Sequence, residues 1–201
     1  PNTIRPALSI IGKEEGIDRV AGMYIIMSKQ GPLFFADTTA HIEPTAEHLI
    51  DIVKLAYRTV SKLQVTPRIA MLSYSNFGSA KGKTVTNIQK AVKYLHKNHP
   101  EIIVDGEMQA NTALDAELRE EVFPFCKLGA ENANVLIFPN LDSGNISYKL
   151  VQSLGLTEVI GPVLLGFKKS VHVLQLGSSV REIVNMINIA AVDAQSKKGL
   201  F

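Results

Sequence analysis

Short apolar runs alternate with amphipathic stretches along almost the whole chain. RVAGMYIIM (19–27) and PLFFADT (32–38) predict two strands joined by a turn around Lys29–Gly31. After Pro44 and Thr45, Leu49, Val53, Ala56 and Val60 recur at helical spacing, which predicts an amphipathic helix over 46–63. RIAMLSYS (68–75) predicts a buried strand that ends in the Gly/Ser/Asn-rich turn SNFGSAKGK. Then follow a helix over 84–99, a strand over 101–108 and a helix over 115–123 that Pro124 ends. NVLIFPN (134–140) predicts a strand, and ISYKLVQSLG (146–155) a helix that Gly155 stops. EVIGPVLLGF (158–167) predicts a strand made irregular by Gly161 and Pro162, and 179–197 a final helix. Such alternation predicts an α/β fold with a largely parallel sheet and right-handed crossovers. There is no internal repeat, low-complexity run or obvious linker.

Composition narrows this picture. Hydrophobic residues make up 46% of the 201 positions, enough for a sizeable core in one large domain or two small lobes. A formal net charge of +2 is too balanced for a dedicated nucleic-acid binder. No apolar run approaches the ~20 residues that span a bilayer, and no signal peptide is visible. The single cysteine, Cys126, excludes an intrachain disulfide framework and reads as a small buried hydrophobe. It fits a reducing, cytoplasmic compartment. The chain begins at Pro1, inside a helical pattern, and reads as a segment of a longer protein.

Few residue patterns announce chemistry by themselves. The turn Ser73-Tyr74-Ser75-Asn76-Phe77-Gly78-Ser79 offers backbone N–H groups and hydroxyls suited to an anion, although ordinary helix capping explains it equally well. Asn145 and Lys149 share a helix face: Asn145 as a cap, Lys149 as a solvated charge or a partner for an anionic ligand. His41, His48, His96, His99 and His172 show no metal-ligand spacing, and no Walker loop or dinucleotide fingerprint is present. No metal site is expected.

FPNLDSGNISYKL (138–150), followed by IGPVLLGFKKSVHVLQLGSSVREIV (160–184), resembles the C-terminal signature of the phosphate acetyl/butyryl-transferase (phosphotransacetylase) family. TIRPALSIIG, FADT, PTAEHLIDI, MLSYSNFGSAKG and VDGEMQ have family counterparts in the same order, so the resemblance covers essentially the whole chain. It implies two α/β lobes with mostly parallel sheets and an acyl-CoA cleft between them. Residues 12–120 or so would form an inserted lobe, and 1–11 with 121–201 the main lobe. It also implies a homodimer, and a missing part on the N-terminal side.

Family members move an acyl group between CoA and phosphate. Arginines hold the phosphate, donors stabilise an oxyanion and a carboxylate acts as base. Here Ser153 stands where the resemblance expects an arginine, Gln175 and Leu176 where it expects a Ser-Arg pair, and Glu182 where it expects an aspartate. Glu182 also suits the first turn of a helix on electrostatic grounds alone. Arg5 is the one active-site arginine retained. The resemblance further implies ligand contacts from Arg5, Ser73, Ser75, Asn76, Gly78, Ser79, Asn145 and Lys149.

Such degenerate domains also occur behind the catalytic part of bacterial NADP-dependent malic enzymes. The expectation is therefore a non-catalytic, acetyl-CoA-responsive regulatory and oligomerisation domain of that kind. The parent would decarboxylate malate to pyruvate, with NADP and a divalent metal bound only in the upstream part. A higher oligomer of the full protein, and no nucleic-acid or membrane partner, complete the expectation. Two alternatives stand beside it: a working acyltransferase, and a purely structural dimerisation module with an empty cleft.

Overall fold

The computed structural model describes residues 4–37, 39–155, 157–174 and 177–199. Its elements in chain order are α1 (Ile4–Ile11), β1 (Ala21–Ser28), β2 (Gly31–Ala36), α2 (Ala46–Lys62), β3 (Ile69–Leu72), α3 (Lys83–Asn98), β4 (Val104–Met108), α4 (Ala110–Leu114), α5 (Ala116–Val122), β5 (Val135–Ile137), α6 (Leu141–Ser153), β6 (Val159–Leu165) and α7 (Val180–Lys197). The strands form one six-stranded sheet in the order β4-β3-β5-β2-β1-β6. The β4–β3, β3–β5 and β5–β2 pairs are parallel, whereas β2–β1 and β1–β6 are antiparallel. The predicted α/β class is thus present. Strands from 12–120 and from 121–201 hydrogen-bond within this same sheet.

The period-two geometry of strands sends neighbouring side chains to opposite faces. Phe34, Ala36, Ile69, Met71, Val135 and Ile137 join Leu49, Ile52, Val53 and Ala56 of α2 and Ile88 and Leu95 of α3 in one cluster. Phe35, Ala70, Leu72 and Leu136 join Ala113 of α4 and Tyr148 of α6 in the other. A sheet with parallel pairs covered on both faces needs apolar residues at successive positions, which explains the unbroken run IAML of β3. Each large side chain so buried contributes about 1.5–3 kcal/mol before the entropy cost.

Local chemistry sets the helix starts. The Thr45 side chain accepts from His48 N at 3.4 Å, and Thr45 N donates to His48 Nδ1 at 3.3 Å, a reciprocal cap for α2. Asp115 caps α5 by accepting from Leu118 N at 3.0 Å. At α6 the structure corrects the sequence. The helix begins at Leu141, and its cap is Asn140, which accepts from Ser143 N at 2.9 Å. Asn145, expected to cap, lies more than a turn inside. Opposite Tyr24, β6 carries Gly161 and Pro162 between its pairings to Met23 and Ile25, a bulge at the predicted irregularity.

Candidate functional site

The turn after β3 is built around a carboxylate. Glu107 is fully buried on β4. Its Oε1 accepts from the Ser75 hydroxyl at 2.8 Å and from Gly78 N at 2.7 Å. Phe77 N donates to the Glu107 carbonyl at 2.8 Å. Phe77 and Gly78 have φ values of 46° and 89°, and their N–H groups reach two oxygens of the same residue, the Glu107 carbonyl and Oε1. Asn76 Oδ1 accepts from Gln109 N at 2.7 Å, Asn76 N donates to Ser79 Oγ at 2.9 Å, and Ser75 N donates to Ser73 Oγ at 3.2 Å. The anion that the turn's donors suggested is therefore internal. Ser75 and Gly78 spend their donors on Glu107.

Asn145, Lys149 and Ser153 lie on α6, with Lys149 and Ser153 exposed. Glu182 sits in the first turn of α7. Its Oε2 accepts from Ser179 N at 2.6 Å, and Ser179 Oγ accepts from Glu182 N at 3.2 Å. This closed capping box ties Oε2 of the carboxylate that the family pattern would use as a base to the start of its own helix. Glu182 lines a hollow of about 260 Å³ with Gln152, Glu158 and Arg181, and Arg181 pairs with Glu158 at 2.6 Å. Gln175 and Leu176 lie outside the described residues.

Arg5 belongs to a different place. Projecting from α1, it lines an open cleft of about 700 Å³ with Lys13, Asp18, Arg19, Thr39 and His41. None of Asn145, Lys149, Glu182 or the 73–79 turn lines that cleft. At its wall lies a pair that sequence reasoning passed over. Asp37, 3% exposed just past β2, accepts from the backbone N–H groups of Gly22, Thr39, Ala40 and His41 at 3.0–3.2 Å. His41 Nδ1 lies 2.6 Å from Asp37 Oδ2. The signal was the D-x-x-x-H spacing after a strand end. The His48 ring lies 5.4 Å from that of His41. Burial first, then the positive charge of Arg19, lowers the His48 pKa below its ordinary value. Arg19 thus acts on this same corner of the cleft.

The remaining features are structural. Burial pushes the Cys126 thiol up to about 11, away from nucleophilic use. The narrow hollow between α2, α7, β1 and β6 holds about 30 Å³, room for about one water. Among the described residues, no cluster of His, Cys, Asp or Glu is arranged to hold a metal. No described helix is long and apolar enough to cross a membrane.

Residues 1–191 match the phosphate acetyl/butaryl transferase family. The chain is 40% identical over 199 residues to a phosphate acetyltransferase of Clostridium acetobutylicum, covering 96% of itself and 60% of that enzyme. It is 38% identical over 192 residues to an NADP-dependent malic enzyme of Escherichia coli, covering 94% of itself and 25% of that enzyme. A phosphotransacetylase from Streptococcus pyogenes superposes with a TM-score of 0.89 at 36% identity, over 97% of this chain and 60% of that one. The chain therefore spans less than two thirds of the length of each of these relatives. It belongs to the phosphate acetyl/butaryl transferase family.

Proposed function

We propose that this member of the family is the acetyl-CoA-responsive regulatory and oligomerisation domain of an NADP-dependent malic enzyme, without acyltransferase activity of its own. The observation that carries this reading is the separation and commitment of the residual polar groups. Arg5 lines one cleft, Glu182 lines another hollow, and the Glu182 carboxylate is engaged by Ser179. The exposed hydroxyl of Ser153 is too short to replace a guanidinium. Losing several transition-state contacts, each worth about 2.7–4 kcal/mol, removes many orders of magnitude in rate.

The likeness to malic enzymes along 94% of the chain supports the parent assignment. That parent converts malate to pyruvate in the cytoplasm, with NADP and a divalent metal held elsewhere. Exposed Ile183, Val184 and Ile187 on α7 offer an apolar face for a two-fold contact. A second reading, a working transferase, is favoured by Arg5 and by the 40% identity to the acetyltransferase.

One set of assays separates the readings. Calorimetry with acetyl-CoA is expected to show saturable binding, light scattering a mass near twice 21.9 kDa, and a thiol assay no phosphate-dependent release of CoA from acetyl-CoA. Phosphate-dependent release at ordinary enzymatic rates overturns the regulatory reading in favour of the transferase. Absence of heat and of thermal stabilisation at millimolar acetyl-CoA leaves only a structural module.

A further inference from the structure

Two helices beside the free edge of the sheet carry opposite charge. α3 has four lysines and no acidic residue. Lys93 and Lys97 stand on its exposed face, with Tyr94, 45% exposed, beside them. Lys90, one turn earlier, has Glu47 of α2 within its field. α5 is the reverse. Glu117, Glu120 and Glu121 are exposed, while its one base, Arg119, is buried on backbone carbonyls. Val122 and Phe125 continue that exposed surface. Among the described residues, Lys93, Lys97, Glu117, Glu120 and Glu121 form no ion pair.

The two faces do not meet within one chain. Ile88, Val92 and Leu95 seat α3 in the core layer on one side of the sheet. Ala113 and Leu114 of α4, which Arg119 ties to α5, belong to the layer on the other side. Both layers reach β4, the outermost strand. Lys127, just past α5, donates its N–H to Asp105 Oδ2 at 2.7 Å, and His96 of α3 lies against Val104. Ile69 N donates to Ile103 O, so Val104 O and Gly106 N point away from β3. His96 Nε2 lies 2.8 Å from Val104 O, and Gly106 N donates to Asp105 Oδ1 at 2.9 Å. The edge is thereby blunted against a seventh strand.

A second copy can approach this edge about two kinds of two-fold axis. An axis normal to the sheet sets α3 against α3, lysine against lysine, and calls on the edge hydrogen bonds that His96 and Asp105 have taken. An axis along the strand, in the plane of the sheet, sets α3 of each copy against α5 of the other, once on each face. Opposite charges then meet twice, and Tyr94, Val122 and Phe125 supply apolar area. We propose that the β4 edge is a second self-contact of this chain, in which the lysine face of α3 meets the glutamate face of α5 in a second copy. It is separate from the α7 face and does not rest on the regulatory reading.

Light scattering on the 201-residue chain tests this. On concentrating the chain about a hundredfold above the micromolar range at low salt, the mass should rise at least twofold, and about 0.5 M salt should reverse the rise. Lys93→Glu with Lys97→Glu should abolish the rise, and so should Glu120→Lys with Glu121→Lys. Mixing the two reversed chains should restore it, because each then meets its opposite. Ile187→Glu removes the α7 contact and should leave a salt-sensitive doubling of mass, which separates the two contacts. If a reversed chain does not fold, the salt titration of the wild-type chain decides. A rise untouched by salt, a rise unchanged by either reversal, a mixture that stays dissociated, or no rise at all overturns the proposal. A chain that does not self-associate but binds poly-glutamate also overturns it, and assigns the α3 face to an acidic partner other than a second copy.

Discussion

The rings of Tyr24 and Tyr148 stack with their centroids 3.8 Å apart and 15° between their planes. This contact ties β1 to α6 and places the helix that carries Asn145 and Lys149. Gly161 lies against the same Tyr24 ring, at a φ of +150°, and a Cβ there would stand 2.6 Å from Tyr24 Cδ1. Gly161→Ala is therefore expected to destabilise the chain by about 1–3 kcal/mol, through overpacking added to backbone strain. Urea unfolding reads this as a lower midpoint. A midpoint equal to wild type would show that Tyr24 has room to move.

Glu107 offers a sharper comparison. Glu107→Gln keeps an oxygen for Ser75 and Gly78, whereas Glu107→Ala leaves both donors without it. The alanine variant is expected to be about 1–3 kcal/mol less stable than the glutamine variant, since it loses two hydrogen bonds that the glutamine oxygen keeps, each worth about 0.5–1.5 kcal/mol. Hydrogen exchange at Gly78 should rise only in the alanine variant. Equal stability of the two would mean that the turn holds itself.

Arg119 is 1% exposed, and its terminal guanidinium nitrogens meet backbone carbonyl oxygens. Its guanidinium donates to Thr112, Ala113, Gly129 and Glu131, closing the 112–131 segment into a packed loop. Lysine cannot present that fork. Arg119→Lys should lower stability by about 2–4 kcal/mol and open the segment to limited proteolysis. A proteolytic pattern identical to wild type would contradict this role.

His172 predicts a pH dependence. Burial holds its pKa below the ordinary 6.5, and its Nδ1 accepts from Leu164 N at 3.2 Å. The unfolded chain therefore binds a proton at this ring more readily than the folded chain. The stabilisation is fully present above 6.5 and is lost as pH falls from there through the lower folded value. Denaturant midpoints measured between about pH 7.5 and pH 5.5 should fall, and His172→Asn should flatten part of that slope. Wild type and variant falling in parallel would assign the loss to other groups.

The fold was legible where local chemistry decides it. The apolar run through Phe34, Phe35 and Ala36 marks a strand, and the helical spacing of Leu49, Val53, Ala56 and Val60 marks a helix with its buried face. Less legible was α6, whose first turn, LDSGN, reads as a loop; its helical state depends on the Asn140 side chain. The short α4 went unseen because five residues carry no period. The site divides the same way. Glu182 was recognised as a helix-start carboxylate, which the Ser179 cap bears out. Glu107 could not be matched with Ser75 and Gly78, because 32 residues separate Glu107 from Ser75. His41 was visible only as a histidine without metal spacing. Its orientation by Asp37 depends on backbone donors that converge only once the chain has folded.

Three residues of β5 carry a consequence for how the chain is made. Val135, Leu136 and Ile137 pair with Phe34, Phe35 and Ala36 on one side and with Ile69, Ala70 and Met71 on the other. During synthesis, the β1–β2 hairpin and the unit of β3, α3 and β4 emerge well before Val135. Until then each piece presents a bare strand edge, β2 on one and β3 on the other, and such edges recruit other chains. The arrival of one tripeptide closes both edges at once. A nascent chain halted near residue 130 is thus the most association-prone form of this protein, and its passage to residue 137 is the step a chaperone would need to guard.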